Sequence, residues 1–434
     1  MRITTLVFAV VLAACPWSSF AQVAQPTNPQ SLVVRALTLE EAWRLAEKAN
    51  PALKTKQVQL AAAEGAHTDA DALLFNNPQV SFDRTRRDVP QTGLSTERRT
   101  EWSAGLSQTL EIAGQRGHRR DVAEAALVAL RLEIDGLRRQ MRAEVAQQFY
   151  RVLALQQRAD LEGQALKLFE STAAVIQKRR VAGEDTKLDA NVALVEAERA
   201  RNQLALAREQ LLDARSELAA ILQLPPEHVP ETSGDLAGKL AAAAYPLGEL
   251  LAGAEAQPKL QALAARENSA RAKLSLERSS RYPDVTLGLN VGREGPGDAR
   301  ERLTTFSVSV PLPLFKRNAT GLGQATSELA QAEIERQTVN RDVRAQVRAL
   351  SAKLESLRTR VRRLQGLVLP ALADNQRLST KSQRAGQIGL LELIVVSRQT
   401  LDARRDLIDA LTDFQTTRLS LELAAGWSPE GIKP

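Results

Sequence analysis

A mainly α chain with a small β part is the class the sequence predicts, and three observations carry it. Alanine, leucine, arginine, glutamate and glutamine dominate while aromatics make up only 4%, a bias toward long helices that meet through small side chains. From Val343 to Val368 the apolar residues Val343, Val347, Leu350, Leu354, Leu357, Val361, Leu364 and Val368 recur in alternating steps of four and three. That is a coiled-coil seam, and the arginines between its positions rule out an all-round apolar core helix. The third observation is a repeated order of short helix, helix, two strand-like runs, long helix, glycine turn and helix.

The N-terminus reads as an export signal over residues 1–21, with Arg2, the apolar run Leu6 to Ala14, Pro16 and the cleavage-like Ser19-Phe20-Ala21. Leu12-Ala13-Ala14-Cys15 also fits a lipobox, so removal of Cys15 and its lipidation are both open. Residues 22–37, rich in Pro, Gln, Asn and Ser, predict a flexible arm. Beyond the signal no apolar run reaches the ~18 residues of a membrane helix, so any crossing must use strands.

The first repeat is expected over 38–224. Thr38 with Glu41 opens a capping-box helix to Ala49, Asn50-Pro51 breaks it, and a second helix runs to about Phe75. Strands follow at about 79–87 and 101–110, split by a loop with Pro90 and Gly93. Arg84, Arg86 and Arg87 are expected near that loop, close to headgroups. A long helix spans about 116–180, Gly183 ends it, and another helix covers 187–222. A connection over 225–246 leads to the second repeat at 247–427, with helices 247–256 and 258–281, strands at about 284–293 and 303–312, a long helix at about 318–384, Gly386, a last helix from Leu390 and a tail at 428–434. The segments 181–189 and 384–392 superpose on an offset of 203 residues (386 − 183).

Helix lengths give the architecture. The long helix 116–180 would span ~97 Å and the helices 51–75 and 187–222 together ~92 Å. If the short helices stack beside the long one, the strands gather at one end and both glycine turns at the other. In the second hairpin Val285, Leu287, Leu289 and Val291, with Phe306, Val308 and Val310 opposite, alternate with small polar residues. This suits tilted strands between lipid and a watery lumen; a half-buried soluble antiparallel sheet is the alternative, against which stand the export signal and the lack of any other core for those faces. Four strands leave open edges that lipid does not tolerate, and three copies would close a twelve-stranded barrel.

Several functions find no support in the residues. The formal charge of +7 comes from arginines that alternate with acids along helices, without interleaved aromatics, which argues against nucleic acid. His67, His118 and His228 are scattered at no ligand spacing, so no metal site or cofactor is expected, and no catalytic motif occurs.

Leu37-Thr38-Leu39-Glu40-Glu41-Ala42 with Asn50-Pro51, the turns at Gly183 and Gly386, and Leu369-Pro370 resemble the TolC-type outer-membrane efflux proteins over nearly all of 37–427. The runs Leu106 to Gly117 (LSQTLEIAGQRG) and Val310 to Asn318 (VPLPLFKRN) resemble its CzcC-like branch, associated with heavy-metal cation efflux. The resemblance implies a homotrimer in the outer membrane, with one twelve-stranded barrel among outer-membrane lipid and a periplasmic helical tunnel. It implies partners too, a periplasmic adaptor and an inner-membrane proton-driven pump of the resistance-nodulation-division class. By position Arg180, Gly183, Arg384, Gly386 and Leu391 match the adaptor-facing tip, and Asp189 and Glu392 match the carboxylates of the periplasmic constriction. Val395 stands where some members carry a further carboxylate. Drug export or type I secretion is the alternative within the class. A periplasmic coiled-coil scaffold without a pore is the competitor outside it.

Overall fold

A computed structural model describes residues 36–427 with the exception of 226, 239, 241–244, 296–298 and 386. The expected signal with Cys15, the arm up to residue 35 and the tail at 428–434 lie outside the described residues. The arm's last expected residue, Leu37, is held: its N–H donates to the Glu231 carbonyl at 2.7 Å, and its own carbonyl accepts from Ser233.

The first repeat holds α1 (Leu39–Ala49), α2 (Pro51–Asp71), β1 (Gln79–Gln91), β2 (Leu94–Leu110), α3 (Gln115–Val181) and α4 (Lys187–Ile221). The second holds α5 (Leu247–Glu255), α6 (Pro258–Ser279), β3 (Val285–Glu294), β4 (Glu301–Ser309), α7 (Ala319–Arg363), α8 (Leu369–Arg384) and α9 (Leu390–Ala424). At 67 residues α3 is ~100 Å long. Both α2 and α4 pack along it, as α6 and α9 do from the other repeat. The stacking inferred from helix lengths is therefore present.

Thr38 and Glu41 form the expected capping box at α1. Helix α1 is pinned to α3 by Trp43, whose indole donates to the Arg142 carbonyl at 2.9 Å. The heptad seam is buried where it meets its neighbours: Val343, Val347, Leu354, Leu357 and Val361 pack with Leu250, Phe414 and Leu421 or with Ala410 and Leu411. Of its arginines, Arg358 is buried over the Phe414 ring and bonds Glu355 at 3.2 Å, whereas Arg348, Arg360, Arg362 and Arg363 are exposed.

The second long helix is not uniform. Leu364–Val368 forms a π-helical turn, with the Leu369 N–H donating five residues back to Leu364. Pro370 follows immediately, and its ring and missing N–H disrupt the α-helical ladder at residue 366, which the wider turn absorbs.

Polar groups join the helices as much as apolar ones do. Buried Glu162 of α3 accepts from Arg405 of α9 at 2.5 and 2.8 Å and from Arg158 at 2.8 Å, and Glu196 of α4 accepts from Arg398 at 2.8 Å. Deeper still, Arg418 and Glu422 pair at 2.7 and 2.9 Å, with the Tyr245 hydroxyl donating to Glu422 at 2.7 Å and Gln415 accepting from Arg418. Burial and the Glu422 carboxylate push the Tyr245 phenol up to about 12.

The strands make one antiparallel sheet in the order β1-β2-β3-β4. Its first hairpin is longer than expected. Both β1 and β2 run through the charged stretch to a tight turn at residues 92 and 93, with Gly93 at φ +81°. Pro90 is accommodated because β1 is an edge strand and its register shifts there. In the other direction β4 ends at Ser309, short of the expected 312, since Pro311 and Pro313 cannot donate to a ladder. Helix α2 stops at Asp71 rather than Phe75, and the Ala72 and Asp71 carbonyls there accept from Arg116, each at 3.0 Å.

Candidate functional site: the sheet faces and the helical turn end

Pairing register sorts the strand residues into two faces. One carries the rows Val80/Leu106/Leu289/Phe306, Phe82/Ala104/Val291/Thr304 and Gln108/Leu287/Val308. Val80, Phe82, Leu106, Leu289, Val291, Phe306 and Val308 are all exposed, a contiguous apolar band with nothing of this chain over it. The other face carries Ser81, Gly105, Ser103, Ser107, Gly288, Asn290, Gly292, Thr305 and Ser307, small or polar, with Leu303 as the apolar exception. Such alternation is that of a strand between lipid and water.

Charges follow the same partition. The polar face bears Asp83, Glu97, Glu101, Glu294 and Glu301 toward the hairpin ends, against Arg87 and Arg99. Its place in the sequence puts Arg87 beside Arg84 and Arg86 near headgroups. Strand parity instead turns it to the polar face, 3.3 Å from Glu101. Arg84, Arg86, Arg293 and Arg302 lie on the apolar side, beyond the band.

The two family-like runs at the base of the sheet are the same structural corner. Each takes a strand into a long helix through a left-handed residue, Gly114 at φ 78° and Asn318 at φ 56°. Gln115 bonds Asp284 across the repeats at 3.2 Å, and the Asn318 amide donates to the Glu277 carbonyl at 3.0 Å.

At the opposite end the α3–α4 turn is a Schellman motif. The Glu184 N–H reaches the Arg179 carbonyl at 2.9 Å, the Gly183 N–H the Arg180 carbonyl at 3.0 Å, and Gly183 sits at φ +81°. Arg179 lies 3.2 Å from both Glu184 and Asp185, while the Arg180 guanidinium donates to Gln177 at 3.2 Å. In the second repeat Arg384 closes α8 and Gly386 lies outside the described residues. The Gln387 N–H donates to Ser382 at 2.9 Å, the bond from 184 to 179 moved by the offset of 203. Ile176 and Ala193 share one core cluster with Leu390 and Ile394, so the two turns stand side by side.

Asp189 is tied into a capping box. Its carboxylate accepts from the Thr186 hydroxyl at 2.6 Å and N–H at 3.2 Å, and these bonds hold its pKa below the usual carboxylate value. Glu392 occupies the matching third position of α9 without such a cap, its Oε2 3.0 Å from where a Cβ on Gly389 would stand. Leu391 is 64% exposed, and so is its counterpart Leu188 at 71%. Leu188 went unremarked in the sequence although the offset of 203 pairs the two leucines.

Among the described residues no group of three His, Cys, Asp or Glu side chains could hold a metal ion, and no helix is long and apolar enough to cross a membrane. Long packed helices beneath a sheet with one lipid-compatible and one hydrated face define a membrane export channel built from helices and a β-barrel. The chain belongs to the outer membrane efflux protein family, whose model matches residues 43–223 and 253–427. It is 28% identical over 369 residues to the cobalt-zinc-cadmium resistance protein CzcC of Cupriavidus metallidurans, covering 85% of each chain. It is 27% identical over 315 residues to the pyoverdine export outer membrane protein OpmQ of Pseudomonas putida, covering 68% of this chain and 65% of that one. The fold is that of the CusC channel, with a TM-score of 0.75 at 17% identity over 90% of this chain and 92% of the other. It is an outer-membrane protein, and family and fold are those of passive channels.

Proposed function

We propose that three copies of this chain form the outer-membrane duct of a tripartite, proton-driven efflux system for heavy-metal cations. Twelve strands would close the barrel, and the helices would line a periplasmic tunnel. The observation that carries the cation reading is the charge partition of the sheet, with five carboxylates against two arginines on the polar face. Near the hairpin end Glu294 and Glu301 are directly opposed. Like charges so placed repel unless a cation lies between them, and a ring of such pairs favours cations in a narrow watery exit. Full-length similarity to a cobalt-zinc-cadmium resistance protein supports the same cargo. Similarity to a pyoverdine exporter over about two thirds of the chain keeps small organic chelates as the second reading.

The turn end is where a periplasmic adaptor, coupled to an inner-membrane resistance-nodulation-division pump, would dock. Arg180, Gly183, Arg384, Gly386 and Leu391 are the proposed contacts, to which Leu188 is added for its exposure and repeat equivalence. Asp189 and Glu392 would ring the periplasmic constriction, six acids in a trimer. Asp189's capping bonds leave it ionised, so its charge and its structural role are compatible.

Cell tolerance to zinc, cobalt, cadmium, nickel and copper tests the cargo. Deleting the gene should lower tolerance to at least one of them, and wild-type tolerance to all five would remove the metal assignment.

A further inference from the structure

Directly beyond the apolar band runs one row of the outward face that is neither apolar nor paired. Arg84, Trp102, Arg293 and Arg302 stand in register across all four strands. Arg293 and Arg302 are direct cross-strand partners. Like charges so placed destabilise a sheet unless an anion neutralises them. Among the described residues none of the three arginines has an ion-pair partner, whereas Arg86 and Arg98 further along the same face share Asp88 at 3.9 and 3.7 Å. The neighbouring carboxylates Glu294 and Glu301 belong to the opposite face. Trp102 is partly exposed and stacks with Phe82 of the band, ring centroids 6.5 Å apart. An amphipathic aromatic at the edge of an apolar band marks the boundary between hydrocarbon and headgroups.

The depth of the row fits. From Arg293 to Val285 the strand rises ~27 Å, about 21 Å of membrane depth at the usual barrel tilt, close to the height of a lipid-facing band. The row lies on the hairpin side of that band, away from the helices, and so faces the outer leaflet.

From this geometry we infer that Arg84, Arg293 and Arg302 with Trp102 form a docking surface for a phosphorylated, acylated lipid of the outer leaflet. Its acyl chains lie along the Phe82, Val291 and Phe306 band, and its phosphates bridge the opposed guanidiniums. Arginine suits this task because its planar fork grips phosphate bidentately. The inference rests on the outward orientation of the apolar face and is independent of the cargo.

The test uses the full chain extracted from outer membranes in neutral detergent, with lipid binding followed by native mass spectrometry. Bisphosphorylated hexa-acyl lipid A and its dephosphorylated form are the probes. Wild-type protein should bind the phosphorylated form about tenfold more tightly, and the Arg293→Gln/Arg302→Gln variant should lose that preference while keeping its heat-resistant assembly. Arg293→Lys/Arg302→Lys should retain part of it. Equal affinity of the wild type for the two lipids would overturn the inference, a comparison that needs no variant to assemble. An unchanged preference in the glutamine variant would overturn it too. Displacement of bound lipid A by millimolar inorganic phosphate would mark a free-anion site and refute the lipid.

Discussion

Single residues in this chain do structural and electrostatic work together. Glu422 is fully buried, holds Arg418 and receives the Tyr245 hydroxyl. Replacing it with alanine strands a buried guanidinium, and a loss of ~3–5 kcal/mol is expected, read as a lowered thermal midpoint. The same cluster gives an alkaline signature. Tyr245 has its folded pKa raised from 10.0 to about 12, so its contribution is fully present below pH 10 and is lost as pH rises through about 12. Tyr245→Phe should flatten the stability curve in that window. Asp189 has the opposite sign. Its pKa is depressed by Thr186, so its contribution is present above the ordinary aspartate value and is lost as pH falls through the depressed one. The protection of amides at the start of α4, measured relative to their intrinsic exchange rate at each pH, should therefore fall in acid, and Asp189→Asn should remove most of that dependence. The grouping of Tyr245 with buried Arg418 and Glu422 is not legible in the sequence, because Arg418 and Glu422 look like an ordinary surface pair four residues apart until α9 is placed against Tyr245.

At the scale of elements, periodicity and punctuation were highly legible. The seam from Val343 to Val361, the Thr38 capping box and the Gly183 turn all follow from residue type at fixed spacing. What escaped were boundaries governed by partners. The hairpin of β1 and β2 continues through Arg86, Arg87, Arg98 and Arg99 because Asp88, Glu97 and Glu101 beside them neutralise the arginines, and apolar alternation is no guide there. The π turn at Leu364–Val368 is likewise a response to Pro370 that a heptad pattern overrides on paper. The turn end offers an element-level prediction. Leu188→Glu/Leu391→Glu should leave barrel assembly intact and reduce export at least about tenfold by weakening adaptor docking, while Gly386→Pro should impair pump coupling more than assembly. Normal export by all of these variants would argue against docking at this end.

At the scale of the whole molecule, duplication explains the architecture. One offset relates the 184–179 bond to the 387–382 bond and Leu188 to Leu391, and it brings both turns into one cluster. The strands of the two repeats then add to a single sheet whose outer strands remain unpaired in one copy. Lipid cannot accept those edges, which is the physical demand for further copies. The apolar and polar sheet faces point to a pore that a coiled-coil scaffold would not need. Single-channel recording of the detergent-extracted protein in a planar bilayer tests this most directly. A heat-resistant trimer should open discrete pores whose reversal potential in a salt gradient is displaced toward cations, and Glu294→Gln/Glu301→Gln should reduce that displacement; a monomer soluble without detergent that leaves the bilayer silent, or an anion-selective pore, would contradict the account.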